Sequence, residues 1–261
     1  MTVEIGLMPV LYALLGSIRV LVMMISGPIF SHPALSPRIR IIGSLMIAWV
    51  AAPVGVGALA GTDWDALTIC MAVGTEVMIG LTVGIGSGLI FAAILQLGEF
   101  VAIQGGLGAA RSLDPTSGAS SVAIGMAFNT FAMVIFLVIG GHHELIRGIA
   151  ASFAALPIGG GLPDPEAFLS VAKLGSVVWE VAFKLAAPIT VAIFVQNVAT
   201  GLLGRAMPQL NLLIANLPLH VGMLLLIVGL GAGDYVHAFK DIIEFWPSRV
   251  FGIVIGGIDG G

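Results

Sequence analysis

Charge is what this sequence has least of. Only 9% of its 261 residues are Asp, Glu, Lys or Arg, against about 25% in ordinary soluble domains. A soluble fold of this length could not cover its surface with so few charges. The formal net charge is −4, with no basic block, which argues against nucleic acid as a partner. Cysteine is almost absent too. The single Cys70 excludes an internal disulfide and a cysteine-based metal site. Set in an apolar run, it reads as a small buried hydrophobe. No Lys or Arg precedes Arg19, and Glu4 is acidic. A secretory leader begins with a positive region, so the first apolar segment is expected to be retained. No fixed-period or inverted repeat is visible, nor any low-complexity tract beyond glycine enrichment.

What is abundant is apolar: 58% of the residues are hydrophobic. They form six segments, roughly 8–26, 39–60, 67–97, 122–141, 174–203 and 212–233. Roughly 20 residues suffice for a helix to cross a bilayer, and helices are the spanning structures open to such runs. The fold expected is therefore all-α: a polytopic membrane protein of about six long apolar helices. The third and fifth segments are longer than a crossing needs, so they tilt, continue beyond the membrane or hide a break. Pro188 in the fifth is a candidate kink. Between segments, 27–37 holds Pro28, Pro33 and Pro37, 98–121 is rich in Gly and Ser, and 142–173 holds a short interfacial helix before the breaker run 157–165. After Asp234, the spacing of Tyr235, Phe239, Ile242, Ile243 and Trp246 predicts an amphipathic helix, lying on a membrane or partner instead of spanning.

Orientation is not set by charge. Arg38, Arg40, Arg111 and Arg205 fall on one side of this scheme, and Arg147, Lys173, Lys240 and Arg249 on the other. The positive-inside rule needs an asymmetry.

Glu76, Gly80, Gly84 and Gly88 recur every four residues, which puts them on one helix face. Glycines at that spacing let a second helix approach closely. The plain reading is a packing seam; the sharper one is a face that slides or lines a path. Arg19 and Glu76 are charges inside apolar segments, where an ionisable group needs a partner or a function. A mutual pair is one solution and an aqueous cavity another. Glu180 and Lys184 stand four apart with the acid first, the favourable order for a local pair. His142, His143 and Glu144 invite a metal reading, but adjacent helical residues point about 100° apart. A polar helix-end cap is the simpler account. No Ser–His–Asp set can be assembled, and Gly105-Gly106-x-Gly108 lacks the flanking strand of a nucleotide site. The 98–121 connection carries only Glu99, Arg111 and Asp114 as charges, with a turn starter at Asp114-Pro115. Long structureless connections are usually functional or disordered.

The stretch from Gly201 to Gly222, GLLGRAMPQLNLLIANLPLHVG, resembles the Gly-Arg-x-x-Pro-Gln-x-Asn segment of the flagellar export family that includes FliR and its virulence type III secretion counterparts. The matching positions are Gly204, Arg205, Pro208, Gln209 and Asn211. Arg19 followed by Pro28, Phe30, Pro33 and Arg38 is similar to the family's first connection. Glu76 with Gly80 and Gly84, and Gln104 through Asp114-Pro115, follow in the family's order. The resemblance runs from Arg19 to about residue 250, and Asn216-Leu217 departs from the expected glycine before Pro218.

This resemblance implies a non-enzymatic subunit of the protein export gate in the bacterial inner membrane, at the flagellar basal body, without cofactor or metal. It implies assembly with FliP-like and FliQ-like subunits into a helical funnel, together with FlhB-like and FlhA-like components. Unfolded export substrates would cross that funnel. It implies a FliP-like part over 1–172, a FliQ-like hairpin and tail over 173–261, and a cytoplasmic C-terminus. The loop 105–121, with Gly105, Gly106, Gly108, Arg111, Asp114, Pro115 and Gly118, would plug the closed pore. Two rivals come from other classes. A secondary transporter of a small solute would use Glu76 and Lys184 as coupling groups. An intramembrane hydrolase would need a nucleophile or metal pair on facing helices, and no such pair is visible.

Overall fold

The computed structural model describes residues 4–51, 65–104, 119–159, 165–206 and 212–255, and every regular element among them is an α-helix. In chain order these are α1 (Glu4–Ser26), α2 (Pro37–Ala51), α3 (Ala66–Gln104), α4 (Ala119–Val138), α5 (Gly141–Ala155), α6 (Pro165–Ala206), α7 (Leu212–Leu230) and α8 (Ala232–Ile255).

The helix ends follow from local chemistry. α1 stops where the Gly27 N–H bonds back to the Met23 carbonyl at 2.7 Å and Pro28 cannot continue the ladder. α2 restarts at Pro37, a residue suited to a first helical position, with the Ser36 carbonyl accepting from Ile39 at 3.0 Å. α4 and α5 are separated at Gly140, whose φ of +76° is one that glycine adopts freely. Inside α1, Ser17 and Ser26 donate to the carbonyls of Leu14 and Val22 at 2.7 Å each. Their hydroxyls thus cost little in an apolar setting.

Among the described residues, three helices are long and apolar enough to cross a membrane, or up to five spans if each of two bent helix pairs (α4 with α5, α7 with α8) counts as one. The expected all-α polytopic membrane fold stands, and the count among the described residues differs slightly from six for physical reasons. The second segment is a 15-residue helix among the described residues. The fourth and sixth break at glycine near their ends. The third and fifth are the opposite case: α3 and α6 run 39 and 42 residues, about 59 Å and 63 Å of helix. That is about twice the hydrocarbon thickness of a bilayer, and α6 stays helical through Pro188.

The described residues form two compact units. One takes the chain up to Leu89, Ile139–Gly175, and the residues from Ile243 on; the other takes Ile90–Val138 and Ser176–Ile242. In the first, α1 buries Tyr12, Leu15, Val20 and Met23, α5 buries Leu145, Ile149 and Phe153, and α3 buries Ile79 and Val83. In the second, aromatic rings carry the packing. Phe91 meets Phe136 edge-on at 5.4 Å, Phe100 stacks on Phe183 at 4.5 Å, and Phe128 faces Tyr235 at 6.1 Å.

Two further expectations change. The apolar stripe of α8 does not face outward: Tyr235, Phe239, Ile243, Trp246, Val250 and Val254 are buried in the chain itself. Cys70 is exposed, because it shares an outward stretch of α3 with Leu67 and Met71.

Candidate functional site

The most polar buried cluster of the first unit is built around Arg19. α1 delivers this guanidinium at 0% exposure and α3 delivers the Glu76 carboxylate at 0%. The pairing is two-pronged: Arg19 Nε donates to Glu76 Oε2 at 2.6 Å and Nη2 to Oε1 at 3.0 Å. The fork geometry suits a carboxylate and gives the strongest class of protein hydrogen bond. The remaining donors go to α5 and its end. Nη1 reaches Ser152 Oγ at 3.0 Å and Nη2 reaches the Leu156 carbonyl at 2.9 Å. The Phe153 ring lies 4.4 Å from the guanidinium carbon, a cation–π distance.

Each contact has a local cause. Leu145, Ile149, Ser152 and Phe153 fall on one face of α5. The Ser152 hydroxyl donates a hydrogen bond to the Ile149 carbonyl at 2.7 Å, leaving its oxygen free to accept from Arg19. One α1 side chain thereby ties three stretches of chain together with its charge neutralised in place. Sequence reasoning singled out Arg19 and Glu76 but missed Ser152, Phe153 and the Leu156 carbonyl. The signal available was a lone serine within the apolar stripe of α5.

The glycine row on α3 stands next to this pair. A Cβ on Gly80 would collide with the Arg19 carbonyl oxygen and come within 3.1 Å of Val22 Cβ. A Cβ on Gly84 would run into Ser26 Oγ and approach the Met23 carbonyl oxygen at 3.1 Å. Gly88 is looser, 3.8 Å from the Ser26 oxygen. Thus α1 and α3 touch backbone to backbone where their charges pair. A fourth glycine, Gly86, serves α8: its would-be Cβ lies 2.9 Å from Val250 Cγ1, and its carbonyl accepts from Trp246 Nε1 at 2.8 Å.

The other singled-out residues lie apart from this cluster. Lys184 and Glu180 pair at 2.6 Å on the exterior of α6. Gly204 and Arg205 occupy the last turn of α6, where a cation complements the helix dipole. His142 and His143 stack with ring centres 4.0 Å apart, and no metal-ligating cluster of three is formed among the described residues. In the second unit, His220 Nε2 lies 2.9 Å from Asn197 Oδ1, beside an enclosed Gln196 amide that has no partner among the described residues. Gly105, Gly106, Gly108, Arg111, Asp114, Pro115 and Gly118 of the expected plug, and Pro208, Gln209 and Asn211 of the family segment, lie outside the described residues.

Residues 10–245 match the family described as bacterial export proteins, family 1. Flagellar biosynthetic protein FliR of Pectobacterium carotovorum subsp. carotovorum is 30% identical over 219 residues, 82% of this chain and 81% of that protein. FliR of Escherichia coli (strain K12) is 29% identical over 234 residues, covering 87% and 88%. FliR of Bacillus subtilis (strain 168) is 31% identical over 151 residues, covering 57% and 58%.

Proposed function

The chain belongs to the bacterial export proteins, family 1, and from that premise we propose that it forms part of the channel of a flagellar protein export gate. It is an α-helical membrane protein of flagellum biogenesis and protein export. In the proposed gate it acts as a non-enzymatic wall subunit in the bacterial inner membrane. Its partners there are FliP-like and FliQ-like subunits and the FlhB-like and FlhA-like export components. Unfolded polypeptides pass along the wall, and residues 105–121 close the path at rest. In this reading 1–172 is the FliP-like part and 173–261 the FliQ-like hairpin and tail.

The observation that carries the reading is the family match over residues 10–245. The distribution of charge and apolar surface supports it. Glu76 is engaged by Arg19 and Lys184 by Glu180, which leaves the coupling groups of a small-solute transporter already neutralised. Outward on α6 and α7 stand Phe194, Val195, Leu202, Leu225 and Leu230, each more than 60% exposed. Only 28% of the apolar window of α6 is buried within the chain. Such a face requires lipid or further helices against it. The seam of Gly80 and Gly84 would hold α1 in register while those outer faces engage neighbours. The test is affinity capture of the tagged chain from detergent-solubilised membranes. FliP-like and FliQ-like subunits are expected in the eluate; a chain recovered alone, stable and monodisperse, overturns the proposal.

A further inference from the structure

We infer that α2 carries a binding site for an anionic phospholipid, with the headgroup at Arg38 and an acyl chain along the stripe from Ile42 to Trp49. The inference is independent of the export reading.

α2 sorts its side chains by size. Ser44, Ala48 and Ala51 are buried and Gly43 is half-buried, 3.6 Å from the Met24 methyl of α1 once a Cβ is imagined on it. The opposite face shows Ile42 at 58%, Met46 at 67%, Trp49 at 60% and Val50 at 79% exposure. Helices that pack on helices in a membrane put small residues at the contact. Here every small residue is already used against the rest of the chain, and large flexible apolar groups are left outward. No exposed polar side chain interrupts that face beyond the first turn to give a protein partner hydrogen-bonding specificity. The surface suits acyl chains.

Charge supplies the headgroup. Arg38, Ile42, Leu45 and Trp49 are spaced at four, three and four residues, so they form one line along the helix. Arg38 is exposed and has no acidic partner among the described residues. Two positions on, Arg40 turns back under the preceding turn, where its Nη2 donates to the His32 carbonyl at 2.8 Å. Its Nε is enclosed without an acceptor among the described residues. Between Gly27 and Ala51 there are two arginines and one histidine but no carboxylate. The positive charge at this end of α2 is therefore uncompensated within its own hairpin, and a phosphate or phosphatidyl anion complements it. The dimensions agree. From Arg38 to Trp49 the helix rises about 16 Å, close to the roughly 15 Å from headgroup to bilayer midplane.

Trp49 is thus a depth gauge for the lipid. The full chain, purified from membranes with the subunits that accompany it, is placed in phosphatidylcholine nanodiscs containing a minor fraction of phosphatidylglycerol. Bromine is carried near the chain end of one lipid or the other. Quenching is compared between the wild type and Trp49→Phe, so that the difference reports Trp49 alone. Each arginine contributes about three- to fivefold at an anionic surface, so brominated phosphatidylglycerol should quench as though enriched about tenfold over its bulk fraction. Arg38→Gln/Arg40→Gln should abolish that preference, while Arg38→Lys/Arg40→Lys, which keeps the charge, should retain most of it. Equal quenching by both lipids in the wild type would mean an unselective lipid face and overturn the site. No Trp49 quenching by either lipid would mean that a protein subunit covers α2, and overturns it equally. Both readings need only the unmutated chain and Trp49→Phe, a change of one exposed ring for another, so an arginine variant that folds poorly does not leave the matter open.

Discussion

The Arg19–Glu76 pair can be taken apart in a way that separates its two energetic faces. Arg19→Met removes both bonds to Glu76, the bond to Ser152 Oγ and the bond to the Leu156 carbonyl. Ser152 keeps its own bond to Ile149, so the groups stranded are the carboxylate and one carbonyl. Removing one member of a fully buried ion pair costs about 3–5 kcal/mol, and Glu76→Leu, which strands the guanidinium, should cost the same. For a chain of this size each kcal/mol moves the melting temperature by about 2–4 °C, so each single variant should melt roughly 6–20 °C lower. The double variant Arg19→Met/Glu76→Leu leaves no charge behind. Its remaining penalties are the half-buried Leu156 carbonyl and the Gly159 N–H that bonds to Glu76, together about 1–3 kcal/mol for groups left unsatisfied. It should therefore be more stable than either single variant, although simple addition predicts a loss of about 6–10 kcal/mol from two such penalties. Thermal unfolding in detergent, followed by size-exclusion of the fluorescent fusion after heating, measures all four proteins. A single variant as stable as the wild type, or a double variant no better than the worse single, refutes the reasoning.

Three more outcomes follow. Gly84→Ala should lose about 1–3 kcal/mol of stability through overpacking, and Ser26→Ala should restore much of it because the obstructing atom is a serine hydroxyl. Gly80→Ala has no such rescue, since it meets the Arg19 backbone; melting curves distinguish the two. Trp246→Phe should cost about 1 kcal/mol, the net worth of one hydrogen bond, whereas Trp246→Ala should cost about 3–5 kcal/mol by opening a cavity. Deleting half of residues 105–121 should leave the assembled complex intact while the inner membrane leaks dye or salt; a complex that assembles and does not leak rules out the plug.

Much of the helical frame was legible in the sequence, and the failures have causes. α1, α3 and α6 announce themselves as long apolar runs, yet their ends lie beyond the runs. Glu99, Gln104, Lys173 and Arg205 are good helix formers, and they extend α3 and α6 past the point where hydropathy falls. Gly140 and Gly231 broke two segments that read as continuous, because a glycine in an apolar run is equally compatible with passage and with a stop. The periodicity of α8 gave its apolar face correctly. What covers that face is a matter of tertiary folding, and Gly86 and Trp246 stand 160 residues apart in the chain. The charged cluster shows the same division. Arg19 and Glu76 stand out one by one, because an ion among apolar neighbours is conspicuous. The serine, the phenylalanine ring and the carbonyl that complete their coordination are unremarkable in composition and acquire meaning only from where α5 lies.

The separations within that cluster also set a clock. Glu76 follows Arg19 by 57 residues and Ser152 by 133. At about 5–20 residues per second of synthesis, the carboxylate emerges about 3–11 s after the arginine and the serine about 7–27 s after it. A guanidinium does not shed its proton to ease the wait. Its long stem lets it reach toward the headgroups, so a newborn α1 would rest displaced toward one leaflet until α3 arrives. Pairing would then draw α1 to its final depth, so that α3, made later, seats it.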